Sequence, residues 1–143
     1  MNDSPTPDNI DIRLVSSAPV EGLIALYKDA GWWKEIYEDN HDFLYDIPRS
    51  SALFAGAFAG KKLIGMGRAL SDLSSDAYIQ DVVVLKDYRG KGIGTSIIRE
   101  LISGLKQNGV DWIGLIGEPG TESFYQRLGF QEMKGHVPFK LKE

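Results

Sequence analysis

The sequence predicts a single mixed α/β (α+β) domain built on one sheet, and three observations carry that expectation. Short stretches with alternating or continuous apolar patterning recur from residue 10 onward, separated by segments whose apolar residues fall at helical spacing. These stretches come as strands in a row and then as strand, helix, strand, helix, the order of a mixed sheet. The length of 143 residues fits one domain, since domains cluster near ~100–150 residues, and neither a repeat nor a linker divides it.

The acidic, Pro-rich residues 1–9 read as a flexible tail ahead of a domain at 10–143. Ile10, Ile12 and Leu14 alternate with polar neighbours, as in a first strand. Pro19 is placed to open a helix in its first turn, where a missing N–H costs nothing. Leu23, Ile24, Leu26 and Tyr27 give that helix its apolar face, and Gly31 is placed to end it. The aromatic, acidic stretch from Trp32 to Tyr45 is expected to be helical in its second half and to stop before Pro48. Ala52–Ala59 and Lys62–Leu70 flank Gly60-Lys61 as a hairpin. Tyr78–Leu85 is a β-branched run of the kind buried on both faces. Ile93, Ile97, Ile98, Leu101, Ile102 and Leu105 make the face of a long helix closed by Gly109. A short strand at Trp112–Ile116, a short helix at Thr121–Leu128 and a last strand at Val137–Leu141 complete the reading.

Composition narrows the chemistry. With no cysteine, disulfides, thiol catalysis and Cys-based zinc sites are excluded. Two histidines, His41 and His136, leave little for a Ser-His triad or a metal site, so no metal is expected. A net charge of −4 argues against a nucleic-acid partner. No apolar run approaches the ~20 residues that span a bilayer, and the first residues lack the basic and apolar regions of a secretory signal. A cytoplasmic protein without a membrane partner is therefore expected. Residues 1–60 carry 4 basic and 10 acidic side chains, net −6, whereas residues 61–143 carry 12 and 10, net +2. Mixed solvated faces account for this split, and so does a second half that holds an anion while the first faces a cation.

The central motif is Arg89-Gly90-Lys91-Gly92-Ile93-Gly94-Thr95, between the buried run and the long helix. Alternate glycines let backbone N–H groups converge, the helix start adds its own N–H groups and dipole, and two cations flank them. That combination suits a phosphate or pyrophosphate; a loop that merely turns sharply is the plainer account. The dinucleotide fingerprint fails, because the third glycine position falls on Thr95 or Ile97, and no segment has the spacing of a P-loop.

Arg-x-x-Gly-x-Gly after Ile79-Gln-Asp-Val-Val-Val-Leu85 resembles the acetyl-CoA signature of the GNAT acetyltransferase superfamily, and Glu122-Ser-Phe-Tyr-Gln-Arg-Leu-Gly-Phe130 resembles its closing motif. With Gly65-Met-Gly-Arg-Ala-Leu-Ser-Asp72, these blocks are most similar to a subgroup of plant plastid and bacterial amine or lysine acetyltransferases. The resemblance implies a mostly antiparallel sheet of six to seven strands flanked by about four helices, with acetyl-CoA as the cosubstrate. It implies that Arg89, Gly90, Lys91, Gly92, Ile93, Gly94 and Thr95 hold the pyrophosphate. Backbone groups of Val83, Val84 and Leu85 would pair with the pantetheine arm, and one N–H would face the acetyl carbonyl as an oxyanion donor.

Tyr125 is the implied acid, since a phenol with a pKa near 10 keeps its proton at neutral pH and can give it to a thiolate. Asp81 and Glu118 are both candidates to orient or deprotonate the amine. Each also has a structural account, Asp81 paired to Arg68 and Glu118 capping the helix after it. Many family members carry Asn where this chain has Glu118, and Pro where it has Lys86. Trp32, Trp33 and Tyr37, with Asp42, Tyr45 and Asp46, fall where the family builds its acceptor site, and their aromatic faces suit a cationic or aromatic amine. Packing of an amphipathic helix on the sheet explains them equally. The expected activity is acetyl transfer to a small-molecule primary amine by direct attack in a ternary complex. Transfer to a protein lysine or N-terminus, and a non-catalytic acyl-CoA-binding module, are the alternatives; a homodimer is left open.

Overall fold

The structure, a computed structural model, describes residues 9–143, so the expected tail lies outside the described residues apart from Asn9. Five strands form one sheet in chain order: β1 (Ile10–Leu14), β2 (Leu53–Ala59), β3 (Lys62–Leu70), β4 (Asp76–Val84) and β5 (Trp112–Leu115). The first four are antiparallel, and β4 and β5 are parallel. Helices α1 (Val20–Asp29) and α2 (Asp42–Ser50) cover one face, and α3 (Ile93–Gln107) covers the other. The short α4 (Glu122–Arg127) follows β5.

Two apolar layers result. Ile93, Ile97, Ile98, Leu101 and Leu105 of α3 bury against Ala55, Ala57, Ile64 and Ile79. Leu23, Leu26, Tyr27, Leu44 and Ile47 bury against Phe54, Phe58, Leu63, Met66 and Val83. The buried run therefore feeds both layers, as its continuous apolar pattern predicts. α3 lies so close to β3 that a Cβ on Gly67 would stand 2.8 Å from Ile97 Cγ2.

Two expectations are corrected. The second helix does not stop before Pro48 but runs to Ser50 with the proline inside it. Pro48 sits in the last turn with its ring buried, and Ser51 closes that turn by donating both its N–H and its hydroxyl to the Ile47 carbonyl. Among the described residues the sheet has five strands rather than six or seven, and Val137–Leu141 forms none. Alternation makes a strand only beside an edge that takes its hydrogen bonds, and Val137, Phe139 and Leu141 stand 66%, 92% and 89% exposed.

Candidate active site

β4 and β5 pair only over Asp76–Ile79 and Trp112–Leu115. Beyond that, β4 continues to Val84 while the chain leaves β5 for Gly117, Glu118 and α4. A cavity of about 950 Å³ opens there, lined by Val82, Val83 and Val84 of β4. Other walls come from Tyr88, Arg89, Gly90 and Gly92–Thr95 of the glycine-rich loop, and from Glu118, Thr121, Phe124 and Tyr125 around α4. Ala30 and Trp32, after α1, complete it. A shallower groove of about 560 Å³ runs between Arg99, Ile102, Lys106 and Leu128 and holds none of the candidate site residues.

The loop adopts the left-handed backbone its glycines permit, with φ 76° at Gly90 and 80° at Gly92. Gly92 is the N-cap of α3, so the cap residue itself brings no side chain to the first turn, and none of that turn's own residues is acidic. Such a helix start favours an anion. Gly94 is instructive: a Cβ there would meet Phe124 at an ordinary 3.6 Å, so neither packing nor a positive φ requires glycine. What a side chain would take is cavity space. Arg89, expected to add a charge-assisted contact to the phosphate, lines the cavity and is also held by the protein. Its Nε donates to the Val84 carbonyl at 2.8 Å, and its guanidinium pairs with Asp29, which also accepts the Lys86 N–H.

Tyr125 and Glu118 share the cavity. Burial, and then the Glu118 charge, push the Tyr125 phenol above its usual pKa of 10, so it holds its proton more firmly. Phe124 and Phe130 pack edge-on against its ring, with centroids at 5.0 and 5.9 Å. The Glu118 carboxylate does not cap α4; its backbone carbonyl accepts from the Thr121 N–H and hydroxyl instead.

Asp81 stands outside the cavity lining, with its Oδ2 accepting from Arg68 Nε at 2.8 Å and the Tyr27 hydroxyl at 3.2 Å. Leu85 and Lys91 also fall outside: the Leu85 N–H donates to Ile64, and Lys91 lies over the Tyr88 ring. Of the aromatic candidates, Trp32 lines the cavity, while Trp33 bonds Glu38 and Tyr37 packs on Phe43. The reading from sequence missed Ala30, Val82, Tyr88, Thr121 and Phe124 as cavity residues. The alternation of a strand could have flagged Val82 beside Val84; the others depend on tertiary placement.

The model of the family described as Acetyltransferase (GNAT) family matches residues 18–130. The chain belongs to the GNAT acetyltransferases. A GNAT relative, an uncharacterized N-acetyltransferase named ycf52 from Pyropia yezoensis, is 44% identical over 122 residues, 84% of this chain and 70% of its own length. Across the curated GNAT relatives it matches, the chain spans 28% to 70% of their length. Among solved GNAT structures, a probable acetyltransferase, SA2161, from meticillin-resistant Staphylococcus aureus superposes with a TM-score of 0.77 at 21% identity, covering 94% of this chain and 99% of that one. AAC(6')-Iy, solved with the bisubstrate analog CoA-S-monomethyl-acetylneamine, gives 0.73 at 21% identity, covering 94% and 98%. At that identity the likeness is one of fold.

Proposed function

We propose that this GNAT domain transfers an acetyl group from acetyl-CoA to the primary amine of a small molecule by direct attack in a ternary complex. The observation that carries the reading is that one cavity holds both a glycine-started helix N-terminus and the Glu118–Tyr125 pair. The residues fit the cosubstrate: the glycine-started N-terminus of α3, with its dipole, suits a pyrophosphate, and the missing Cβ of Gly94 leaves room for close approach. Bound there, acetyl-CoA supplies an acyl group activated as a thioester.

The chain's own groups do the rest. Val82–Val84 offer strand backbone to the cavity where β5 no longer covers β4, and a fixed N–H on that edge is suited to a developing oxyanion. Glu118 accepts the proton that the amine must lose. Tyr125, buried and with a raised pKa, stays protonated at neutral pH, as a group that reprotonates a thiolate must. Trp32 and the Glu118 carboxylate suit a cationic or aromatic amine.

Because the chain has no cysteine, a thiol reagent reports released CoA without background from the protein. Thiol release that requires an added small amine supports the reading. Tyr125→Phe should lower kcat by about 10²–10⁴-fold, the usual contribution of a positioned acid, with little change in acetyl-CoA affinity. Acetyl-CoA binding without release across an amine panel overturns it, and labelling only of lysate proteins assigns the acceptor to protein amines. The exposed Val137, Phe139 and Leu141 and the position of β5 at the sheet edge support a homodimer as the assembly.

A further inference from the structure

The β3–β4 ladder contains a bulge beside the cavity. Met66 pairs with Val83 and Arg68 with Gln80, so Gly67 alone faces both Asp81 and Val82. Asp81 has φ 56°, one of two non-glycine residues with positive φ among those described. Such a bulge position usually holds glycine, because a Cβ crowds the left-handed backbone. Two donors from different elements hold the aspartate there: Arg68 Nε, across the ladder, and the Tyr27 hydroxyl from α1, both on Oδ2. The side chains of Arg68 and Asp81 are only 18% and 21% exposed, which shields the pair from water.

We propose that Asp81, with Tyr27 and Arg68, is a positioning brace that fixes the β4 bulge and thereby aims the Val83–Val84 backbone into the cavity; this rests on the acetyl-transfer reading above. The bulge decides which way the following residues face. Val83 packs with the α1–α2 layer, while Val82 and Val84 pack with the α3 layer. Removing the extra residue from the ladder would exchange those faces and turn the backbone that borders the cavity. The brace also reaches the acceptor side, because the Tyr27 ring packs edge-on against Trp32, centroids 5.5 Å apart, and Trp32 lines the cavity. A carboxylate that took a proton from the amine directly, and not through a water, would need to line that cavity. Asp81 does not, whereas Glu118 does.

Substitutions at Asp81 separate positioning from proton transfer because they rank differently under the two roles. Asn keeps an acceptor oxygen for both donors and tolerates positive φ; Gly loses the acceptor but adopts that φ freely; Ala loses both. The brace predicts the order Asp81→Asn, then Asp81→Gly, then Asp81→Ala for both kcat and acetyl-CoA affinity by calorimetry. Asn should stay within about 3-fold of the parent and Ala should lose about 30-fold or more, with an unshifted pH profile of kcat/KM. Tyr27→Phe, which keeps the ring, should weaken acetyl-CoA binding about 2- to 5-fold through loss of one hydrogen bond to a charged group. A uniform loss of about 100-fold or more in kcat for all three Asp81 variants, with acetyl-CoA affinity intact, overturns the brace in favour of a catalytic base. Three variants equal to the parent overturn it as well. If the parent chain turns over no amine, the acetyl-transfer reading fails, yet the affinity ranking still decides the brace. If Asp81→Ala does not fold, the Asn, Gly and Tyr27→Phe comparison decides it.

Discussion

Tyr27 and Tyr125 are two phenols whose pKa values rise for the same first cause, burial, and whose neighbours then divide their roles. Tyr27 next feels the Asp81 charge and gives its hydrogen to that carboxylate, so its proton is committed to structure. Tyr125 next feels Glu118 and faces the cavity, so its proton remains available there. The raised values have a consequence for stability. A phenol with a higher pKa folded than unfolded contributes stability that is complete below about pH 10 and is lost as pH rises through the folded value. Unfolding free energy should therefore fall with pH above about 10, and Tyr27→Phe should flatten that alkaline limb while lowering stability near neutrality by about 1.5–3 kcal/mol for the lost hydrogen bond to a charged group. Denaturant titrations between pH 7 and 11 measure both. Tyr125 was legible in the sequence because a closing motif surrounds it. The αL backbone of Asp81 was not, since φ at one strand residue follows from how two strands pair and leaves no local mark.

Among the elements, α3 combines the two tasks that shape the site: it fills the core with five residues on one face, and its glycine start faces the cavity. Both were readable, the first from apolar spacing and the second from three alternate glycines. How near α3 sits to β3 was not. Gly67 and Gly65 have no side chains beneath Ile97, and Cβ atoms there would stand 2.8 Å and 3.1 Å from it. Gly67→Ala should thus overpack the layer and destabilise the fold by about 1–3 kcal/mol, read as a lower midpoint in thermal or denaturant unfolding. The same change on Gly94, where the nearest ring atom is at 3.6 Å, should leave stability alone. α2 shows the opposite limit of local reading. Pro48 predicts a stop, but its burial in the last turn and the double bond from Ser51 to Ile47 let the helix finish around it. Asp29, at the end of α1, ties the turn after β4 through Lys86 and Arg89, a contact across more than fifty residues with no sequence signature.

At the scale of the molecule, a three-layer domain leaves one apolar stretch uncovered. Val137, Phe139 and Leu141 bury little in a single chain, so removing residues 137–143 should change monomer stability by no more than about 0.5 kcal/mol, the ordinary size of surface effects. In a homodimer that uses this stretch, the full chain should melt at higher temperature as its concentration rises, and the shortened chain should not. Melting points independent of concentration in both chains would remove the homodimer reading. The sequence by itself determined the order of strands and helices from β1 to α4, the hairpin, the glycine-rich helix start and the aromatic motif, because each rests on period, turn chemistry or spacing within one short segment. The tertiary structure alone decided that β4 and β5 part after four paired residues to open the cavity, that Glu118 enters it and Asp81 does not, and that Arg89 is held by Asp29. Those are contacts between segments distant in the chain, and the physics that selects them, burial and pairing of whole elements, acts only once the layers are assembled.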